Sequence, residues 1–181
     1  MTCRVYLGLS LDGFIADKDG GVAWLDMVHV PEGDDLGYAV FMQDVDALVM
    51  GRVTFDTVLG FDVPWPYDKP VYVWSRRAVA IPEALEGKAF GIQGSPEEIV
   101  ATLAAAGHTR LYIDGGKTVQ AFLAADLVDE LILTRLPIVL GEGIPLFGAL
   151  PKPLPLKHVR TEVLLGQLVK STYRRTARAD A

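Results

Sequence analysis

The chain has 181 residues, of which 50% are hydrophobic and 22% are charged, and its formal net charge is -6. This composition is typical of one globular domain with a sizeable core, and it leaves no room for a second catalytic domain. Basic residues are scattered until a short run from Lys170 to Arg178, which argues against a nucleic-acid groove. A phosphorylated ligand would therefore have to be held by a few local donors.

Cysteine and histidine usage excludes several classes of site. The single cysteine, Cys3, has no second thiol with which to form a disulfide or a thiolate zinc cluster. The three histidines, His29, His108 and His158, are far apart and lack metal-ligand spacing, so we predict no metal site. No apolar run approaches the roughly 18 residues that a membrane helix needs, and we predict a soluble, cytoplasmic protein.

The first predicted strand, 4–9, is followed by a loop that opens with Ser10-Leu11-Asp12-Gly13. This loop carries three large apolar side chains, Phe14, Ile15 and Trp24, which is more than a purely solvated connection needs. Two interpretations remain open. The three side chains either fold back onto the core or line a ligand pocket.

Short apolar runs alternate with helical patterns along the rest of the chain. Strands are predicted at 47–50, 71–74, 111–113 and 130–136, with a weaker one at 88–92. Helices are predicted from Gly33 to Asp44, after Ser95-Pro96-Glu97-Glu98, and from Lys117 to Leu123. A Gly/Pro-rich loop spans 137–147, and the chain ends in a predicted hairpin with strands 157–164 and 168–173. This order predicts an α/β fold with a mostly parallel sheet, helices on both faces and a C-terminal antiparallel hairpin.

The stretch from Leu111 to Leu123 predicts a buried strand that turns into a helix at Gly115-Gly116. Two glycines allow backbone conformations closed to other residues, and the free amides at the start of a helix favour an anion. A phosphate or diphosphate would suit that turn. The alternative is that Gly115-Gly116 only packs a tight turn.

Two further strand ends carry similar groups. The three segments are Gly51-Arg52-Val53-Thr54, Ser75-Arg76-Arg77 and Gly115-Gly116-Lys117-Thr118. Ligands of open α/β sheets bind outside the carboxyl ends of the strands, so one extended, phosphorylated ligand would touch all three. The two glycine turns suit a diphosphate, and Ser75 with Arg76 suits the separate 2′-phosphate of a dinucleotide.

Common nucleotide and hydrolase motifs are missing from the sequence. No Gly-x-Gly-x-x-Gly follows the first strand, which disfavours a Rossmann dehydrogenase. The segment Gly115-Gly116-Lys117-Thr118 lacks the upstream glycine of a Walker loop, and no serine lies in a nucleophile elbow. The predicted phosphate sites therefore belong to a different type of fold.

A set of short motifs carries a resemblance to a known family. They are 10–16 (SLDGFIA), 51–55 (GRVTF), Ser75-Arg76, Asp114-Gly115-Gly116 and 129–133 (DELIL). In order and spacing they resemble the dihydrofolate-reductase-like superfamily, specifically the branch similar to the reductase domain of bacterial riboflavin biosynthesis, the RibD C-terminal domain family. The resemblance covers nearly the whole chain. It implies an eight-stranded, largely parallel sheet, NADPH as hydride donor, and a homodimer.

The resemblance also implies roles for individual residues. The implied cofactor-binding residues are Gly51, Arg52, Thr54, Ser75, Arg76, Gly115, Gly116, Lys117 and Thr118. Asp12 matches an acid that riboflavin-type reductases place at the substrate, where it would bind a sugar hydroxyl or assist proton delivery. The alternative for Asp12 is a turn-forming Asp before Gly13.

Two departures from the riboflavin-type pattern bear on the substrate. The first strand has Leu7-Gly8-Leu9, and Phe14 follows Gly13, where that family carries basic or small residues. The predicted helix at 35–44 has no basic residue. A phosphoribosyl substrate would lose its expected counter-charges.

The leading hypothesis is an NADPH-dependent reductase that transfers a hydride to a C=N or C=O carbon. Its substrate pocket is predicted to be lined by Phe14, Ile15, Trp24 and Trp65, with Asp12 as the catalytic residue. The substrate is left open among the riboflavin precursor, a pterin and another small heterocycle. Two alternatives stand beside this hypothesis: a dihydrofolate or pterin reductase, and a non-catalytic nucleotide-binding module on the same fold.

Overall fold

The computed structural model describes residues 1–176, so the last two residues of the basic run, 177 and 178, lie outside it. Residues 1–176 contain ten strands. They are β1 (Thr2–Leu9), β2 (Phe14–Ala16), β3 (Ala47–Gly51), β4 (Val71–Trp74), β5 (Ala89–Ile92), β6 (Arg110–Asp114), β7 (Glu130–Arg135), β8 (Ile144–Pro145), β9 (Leu156–Leu164) and β10 (Leu168–Arg175). Eight of them form the main sheet.

The main sheet has the order β5-β4-β3-β6-β1-β7-β10-β9. Strands from β5 to β7 in this order pair in parallel, whereas β10 pairs antiparallel with β7 and with β9. The predicted fold class is therefore confirmed: a mostly parallel, eight-stranded sheet that ends in a C-terminal antiparallel hairpin. All carboxyl ends of the parallel strands lie at one edge of the sheet, here called the carboxyl edge.

Four α-helices cover the two faces of the sheet. They are α1 (Tyr38–Gln43), α2 (Arg52–Leu59), α3 (Pro96–Ala105) and α4 (Gly116–Ala124), and short 3-10 helices occupy Ala23–Met27 and Glu83–Leu85. Helices α3 and α4 pack on Val5, Val49 and Ile113 through one apolar cluster. Helices α1 and α2 pack on the other face, where Leu48 and Tyr112 belong to a second cluster. Successive strand residues point to opposite faces, which explains the separation.

Helix α3 begins as its sequence predicts. The Ser95 hydroxyl accepts a hydrogen bond from the Glu98 amide at 3.3 Å, and the Glu98 carboxylate accepts one from the Ser95 amide at 2.7 Å. Pro96 occupies the first turn, where its missing N–H costs nothing. This capping box fixes the helix start at the predicted position.

Helix α1 is shorter than the helix predicted from Gly33. Leu36 and Gly37 have φ values of 57° and 87°, so the backbone is left-handed immediately before the first helical residue, Tyr38. The Asp35 carboxylate accepts hydrogen bonds from the amides of Gly37 and Ala39, and this caps the helix. The turn before α1 is thus well defined although it is not helical.

The sequence-based prediction of an irregular loop after β1 is wrong for one short segment. Strand β2 lies within that loop and pairs with β8, which lies within the predicted Gly/Pro-rich loop at 137–147. Gly143 permits the pairing because a side chain there would overlap the carbonyl oxygen of Ala16. A two- or three-residue strand has too little periodicity to be recognised without its partner.

None of the helices among residues 1–176 is long and apolar enough to span a lipid bilayer. The single thiol, Cys3, is buried in the cluster beneath α3 and α4.

Candidate functional site

Two glycine-containing turns meet at the carboxyl edge. Strands β3 and β6 are parallel neighbours, and each leads directly into a helix. A Cβ atom on Gly51 would lie 2.9 Å from Thr118 Oγ1, and one on Gly115 would overlap Thr54 Oγ1. The two turns therefore touch, and only glycine allows their backbones to approach so closely.

Helices α2 and α4 each begin after a glycine, Gly51 and Gly115, which has no side chain to cap the first amides. Gly115 has φ 86° and ψ 146°, a conformation essentially open only to glycine, and it turns the chain from β6 into α4. Adjacent helix starts without a side-chain cap form a positive end that suits a diphosphate.

A third strand end lies beside these turns. Strand β4 pairs with β3 so that Trp74 is opposite Gly51, and Ser75 with Arg76 follows at the same edge. Arg76 is exposed, and the Ser75 hydroxyl accepts a hydrogen bond from the Arg77 amide at 3.2 Å. The three predicted segments thus occupy consecutive strands in the order β4, β3, β6.

The remaining predicted cofactor residues lie on the same two turns. Arg52 and Lys117 are exposed, and Thr118 is buried between the turns. The Arg52 guanidinium donates to Asp56 at 3.3 Å on the helix surface. All nine predicted cofactor residues are therefore brought to one edge, while their individual roles stay predictions. The uncapped helix starts and the exposed cations Arg52, Arg76 and Lys117 match the chemistry of dinucleotide phosphates.

The predicted substrate residues fall into three places. A Cβ on Gly116 would lie 2.9 Å from Ile15 Cδ1, so β2, which carries Phe14 and Ile15, lies over the central turn. Trp24 packs instead into a separate apolar cluster with Leu136. Trp65 contacts Phe55 and Tyr67 beside α2. The indole nitrogens of Trp24 and Trp65 are buried and lack a hydrogen-bond partner within residues 1–176.

Asp12 joins two loops. Its carboxylate accepts hydrogen bonds from the Ser10 hydroxyl at 2.6 Å and from the amides of Leu140 and Gly141 at 3.2 and 2.8 Å. The Ser10 hydroxyl, followed by these amides, holds the pKa of Asp12 below its usual range. A carboxylate kept ionised in this way is a better hydrogen-bond acceptor than proton donor. The geometry thus adds a loop-joining role to the predicted catalytic one.

Replacing Asp12 by Asn should leave NADPH affinity unchanged and speed amide hydrogen exchange at Leu140 and Gly141. The neutral amide group presents an NH₂ donor where the carboxylate accepted a bond from a backbone N–H, so one contact is lost. Hydrogen exchange followed by NMR measures the effect. If turnover is also unchanged, Asp12 has no catalytic role. If turnover is lost while the amides of Leu140 and Gly141 stay protected from exchange, Asp12 takes part in the reaction.

Sequence reasoning gave no separate role to Asp114, the last residue of β6. Its side chain is only 8% exposed, and Oδ1 accepts a hydrogen bond from the Gly115 amide at 2.7 Å. Burial raises the pKa of this carboxyl group from 3.8 to about 6, and the Gly115 bond only partly offsets the rise. A carboxyl group with this pKa can hold and release a proton near neutrality.

The charge of Asp114 acts on three tyrosines, here called the tyrosine cluster: Tyr38, Tyr67 and Tyr112. Tyr112 precedes Asp114 by two residues on β6, so both side chains face α1 and α2. Burial raises the pKa of Tyr38 and of Tyr67 above its usual range, and the charge of Asp114 adds to the rise in both. The signal in the sequence was an acid ending an otherwise apolar strand directly before Gly-Gly. Such a residue is buried at the edge where ligands bind.

A separate depression of about 370 Å³ lies at the opposite edge of the sheet. Its walls are Thr2, Arg4, Asp44, Arg110, Asp129, Glu130 and Arg174. Arg4 and Arg174 both pair with Glu130, at 3.0 and 2.7 Å, and Arg110 pairs with Asp46 at 2.7 Å. These charges satisfy one another, and the depression lies far from the glycine turns. The carboxyl edge is therefore the better candidate for function.

Comparison with known proteins identifies the family of the chain. A family model described as the RibD C-terminal domain matches residues 2–170. A crystal structure of a putative riboflavin biosynthesis protein from Shewanella sp. PV-4 is 47% identical, with a TM-score of 0.94, over 98% of this chain and 100% of that one. The uncharacterized protein YwjB of Bacillus subtilis is 36% identical over 171 residues, which is 93% of this chain and 95% of that protein.

More distant structures share the fold. A diaminohydroxyphosphoribosylaminopyrimidine deaminase/5-amino-6-(5-phosphoribosylamino)uracil reductase from Thermotoga maritima matches with a TM-score of 0.71 at 19% identity, over 97% of this chain and 56% of that one. Dihydrofolate reductase from Enterococcus faecalis, complexed with NADP(H), matches with a TM-score of 0.67 at 18% identity over 97% of each chain. The fold is thus dihydrofolate-reductase-like, and the chain belongs to the RibD C-terminal domain family.

Proposed function

We propose that this protein is an NADPH-dependent reductase that transfers a hydride to a C=N or C=O carbon of a small heterocyclic or sugar-linked substrate. In this it resembles 5-amino-6-(5-phosphoribosylamino)uracil reductase. The observation that carries the proposal is the contact between the two glycine turns, with Ser75 and Arg76 on the next strand. Membership of the RibD C-terminal domain family supports a reductase.

Different residues at the carboxyl edge would bind different parts of the cofactor. The turn at Gly115-Gly116, with Lys117 and Thr118, would hold the diphosphate together with Gly51, Arg52 and Thr54 from the second turn. Ser75 and Arg76 would hold the 2′-phosphate. When bound, NADPH supplies a hydride from C4 of its nicotinamide ring.

Asp114 is the proton donor of the proposed reaction. It is the last residue of β6, directly before the Gly115-Gly116 turn, and it lies on the same face of the strand as Tyr112. Its raised pKa, about 6, keeps a usable fraction protonated near neutrality. The strand β2 over Gly116 would shield the reacting atoms from water. Asp12 keeps the neighbouring loop, 137–143, in position through its bonds to Leu140 and Gly141.

Replacing Arg76 by Ala should weaken NADPH binding about tenfold and leave NADH binding unchanged, because a charge-assisted hydrogen bond to the 2′-phosphate is lost. Isothermal titration with both nucleotides measures the effect. Arg77→Ala is the matched control, since Arg77 follows directly and is also exposed. Equal affinity of the native protein for NADH and NADPH would contradict the 2′-phosphate site, and no uptake of either would overturn the reductase.

A dihydrofolate or pterin reductase is the second candidate function. It is favoured by the buried Asp114, because a carboxylate can accept two N–H bonds from an aminopyrimidine ring. A dihydrofolate assay that methotrexate inhibits separates this function from the first. Cofactor binding without NADPH oxidation across a panel of imines and carbonyls would instead favour a non-catalytic module.

We also propose a cytoplasmic homodimer that pairs through β9. This strand is the outermost strand of the main sheet, and its side chains Val159 and Val163 are exposed. An edge strand can pair antiparallel with its own copy across a two-fold axis, which satisfies both rows of backbone groups. Light scattering should therefore give twice the mass of one chain, and Val163→Lys should shift the protein toward monomer. A monomeric native protein would contradict this assembly.

A further inference from the structure

Lys170 on β10 is buried, with an exposure of 7%, and it is the only buried lysine or arginine within residues 1–176. An ammonium group that is removed from water costs free energy unless other groups compensate its charge. The contacts of Lys170 therefore decide whether its burial stabilises the fold.

The charge of Lys170 is compensated only in part. Its ammonium group donates to the carbonyl oxygen of Leu36 at 2.8 Å, and the Glu162 carboxylate is 3.6 Å away. The side chain of Glu162 is 40% exposed, and its carboxylate also lies 3.8 Å from Arg160. A neutral carbonyl and a shared, solvated carboxylate do not offset the desolvation of a buried ammonium group. We therefore looked for a role of Lys170 other than stability.

Lys170 lies at the carboxyl edge, on the face of the sheet that α1 covers. It is opposite Thr134 on β7, and Thr134 is opposite Gly8 on β1, one residue before the end of each strand. Ile132 shares a face with Thr134 and packs in one cluster with Phe41 of α1. The side chain of Lys170 thus reaches from the C-terminal hairpin to the segment that precedes α1.

The carbonyl group that Lys170 binds belongs to an unusual turn. Leu36 has φ 57°, which is rare for a residue with a Cβ atom, and Gly37 follows with φ 87°. The Tyr6 hydroxyl of β1 donates to the same Leu36 carbonyl oxygen at 3.0 Å. We call these two donors, Tyr6 and Lys170, the carbonyl clamp. It ties the turn to two strands of the sheet directly before α1 begins at Tyr38.

Helix α1 in turn packs on the strand that ends in Asp114. The ring centroid of Phe41 lies 5.1 Å from that of Tyr112 and 4.8 Å from that of Tyr6. Tyr112 shares a face of β6 with Asp114. Because α1 covers this face, the position of its first turn sets how much room a ligand has beside Asp114.

We propose that Lys170 is a positioning residue for the substrate: with Tyr6 it holds the turn before α1 at the carboxyl edge and so preforms the space beside Asp114. This inference rests on the proposed reductase function and adds a residue to it. The proposed nucleotide site lies on the turns after β3, β4 and β6, so nucleotide binding does not depend on the clamp. Burial of Lys170 then lowers stability in exchange for a preformed substrate site.

Lys170→Met removes the ammonium group and keeps a long side chain. With the best imine or carbonyl acceptor from a screen, KM should rise about tenfold at nearly unchanged kcat, and calorimetry should give unchanged NADPH affinity. The urea midpoint should stay the same or rise, because a partly compensated charge is gone and Tyr6 still binds the Leu36 carbonyl. A residue that only supports the fold would lower that midpoint. Lys157→Met, at an exposed position on β9, is the matched control and should change none of these values.

A double-mutant cycle tests the shared carbonyl group. Tyr6→Phe should raise KM about threefold, and the double variant should exceed the product of the single effects, because the Leu36 carbonyl then has neither donor. Amide exchange at Gly37 and Ala39, followed by NMR, should speed up in the double variant whether or not turnover is detected. An unchanged KM in Lys170→Met, or a lower kcat and urea midpoint at the native KM, would overturn the inference. A native protein that oxidises NADPH with no acceptor would refute the reductase and the positioning role with it, while the exchange rates would still show whether the clamp holds the turn.

Discussion

Asp114→Asn should lower turnover by roughly 10²- to 10³-fold while leaving NADPH affinity unchanged, because it removes a positioned proton donor and keeps the side-chain shape. The Asn oxygen can still accept the 2.7 Å hydrogen bond from the Gly115 amide, so the turn that starts α4 is preserved. Turnover is measured as NADPH oxidation with the best imine or carbonyl acceptor found in a screen. The nucleotide titration uses the same samples.

The pH dependence of the native enzyme should follow the protonated form of Asp114. Turnover should be highest below pH 6 and should fall as pH rises through about 6, the pKa to which burial raises this group. In Asp114→Asn this fall should vanish. Asp44→Asn, which removes an exposed carboxylate at the opposite edge, is the matched control and should keep the native profile. A fully active Asp114→Asn protein would assign proton delivery to another group.

The same ionisation predicts a change in stability. The folded-state pKa of Asp114 is raised above 3.8, so its protonated form favours folding, and that contribution is lost as pH rises from about 4 through about 6. A shift of about 2 units corresponds to roughly 3 kcal/mol. Asp114→Asn should therefore be more stable than the native protein at pH 8, by up to that amount in urea unfolding. Catalysis and stability then impose opposite demands on this residue.

The strand ends could be predicted because their signals are local. Gly51 and Gly115 each end a short apolar run and precede a helical pattern, and alternation of such units implies parallel strands with a common edge. The order of the strands, with β1 between β6 and β7, was not predicted. Nothing in the spacing of the apolar runs fixes that order.

The features that were missed depend on contacts between distant segments. Asp114 has an altered pKa because of the segments that bury it, and neither Tyr38 nor Tyr67 is near it in sequence. The bonds of Asp12 to Leu140 and Gly141 join opposite ends of the chain. The turn-like sequence around Asp12 is compatible with many hydrogen-bond partners. Burial and partner choice are tertiary properties, and no local pattern encodes them.

Gly115→Ala should destabilise the protein by about 3 kcal/mol and abolish measurable NADPH binding. Two free-energy costs add at this position, one from the backbone conformation and one from steric overlap. Its φ of 86° is unfavourable for any residue with a Cβ atom. The new methyl group would also overlap Thr54 Oγ1 and push the two turns apart. Urea unfolding measures the first effect, and calorimetric titration with NADPH measures the second.

Gly87→Ala is the control for a positive φ without a steric contact. Gly87 has a similar φ of 76°, yet a Cβ atom there would meet nothing within 4 Å. It should therefore lose only about 1 kcal/mol, the cost of the backbone conformation alone, and bind NADPH normally. Adding Thr54→Ala to Gly115→Ala should restore the steric part of the stability, because the overlapping hydroxyl is gone. If Gly115→Ala behaves like Gly87→Ala, the turns do not press on each other, and the close contact that supports a shared dinucleotide site would be refuted.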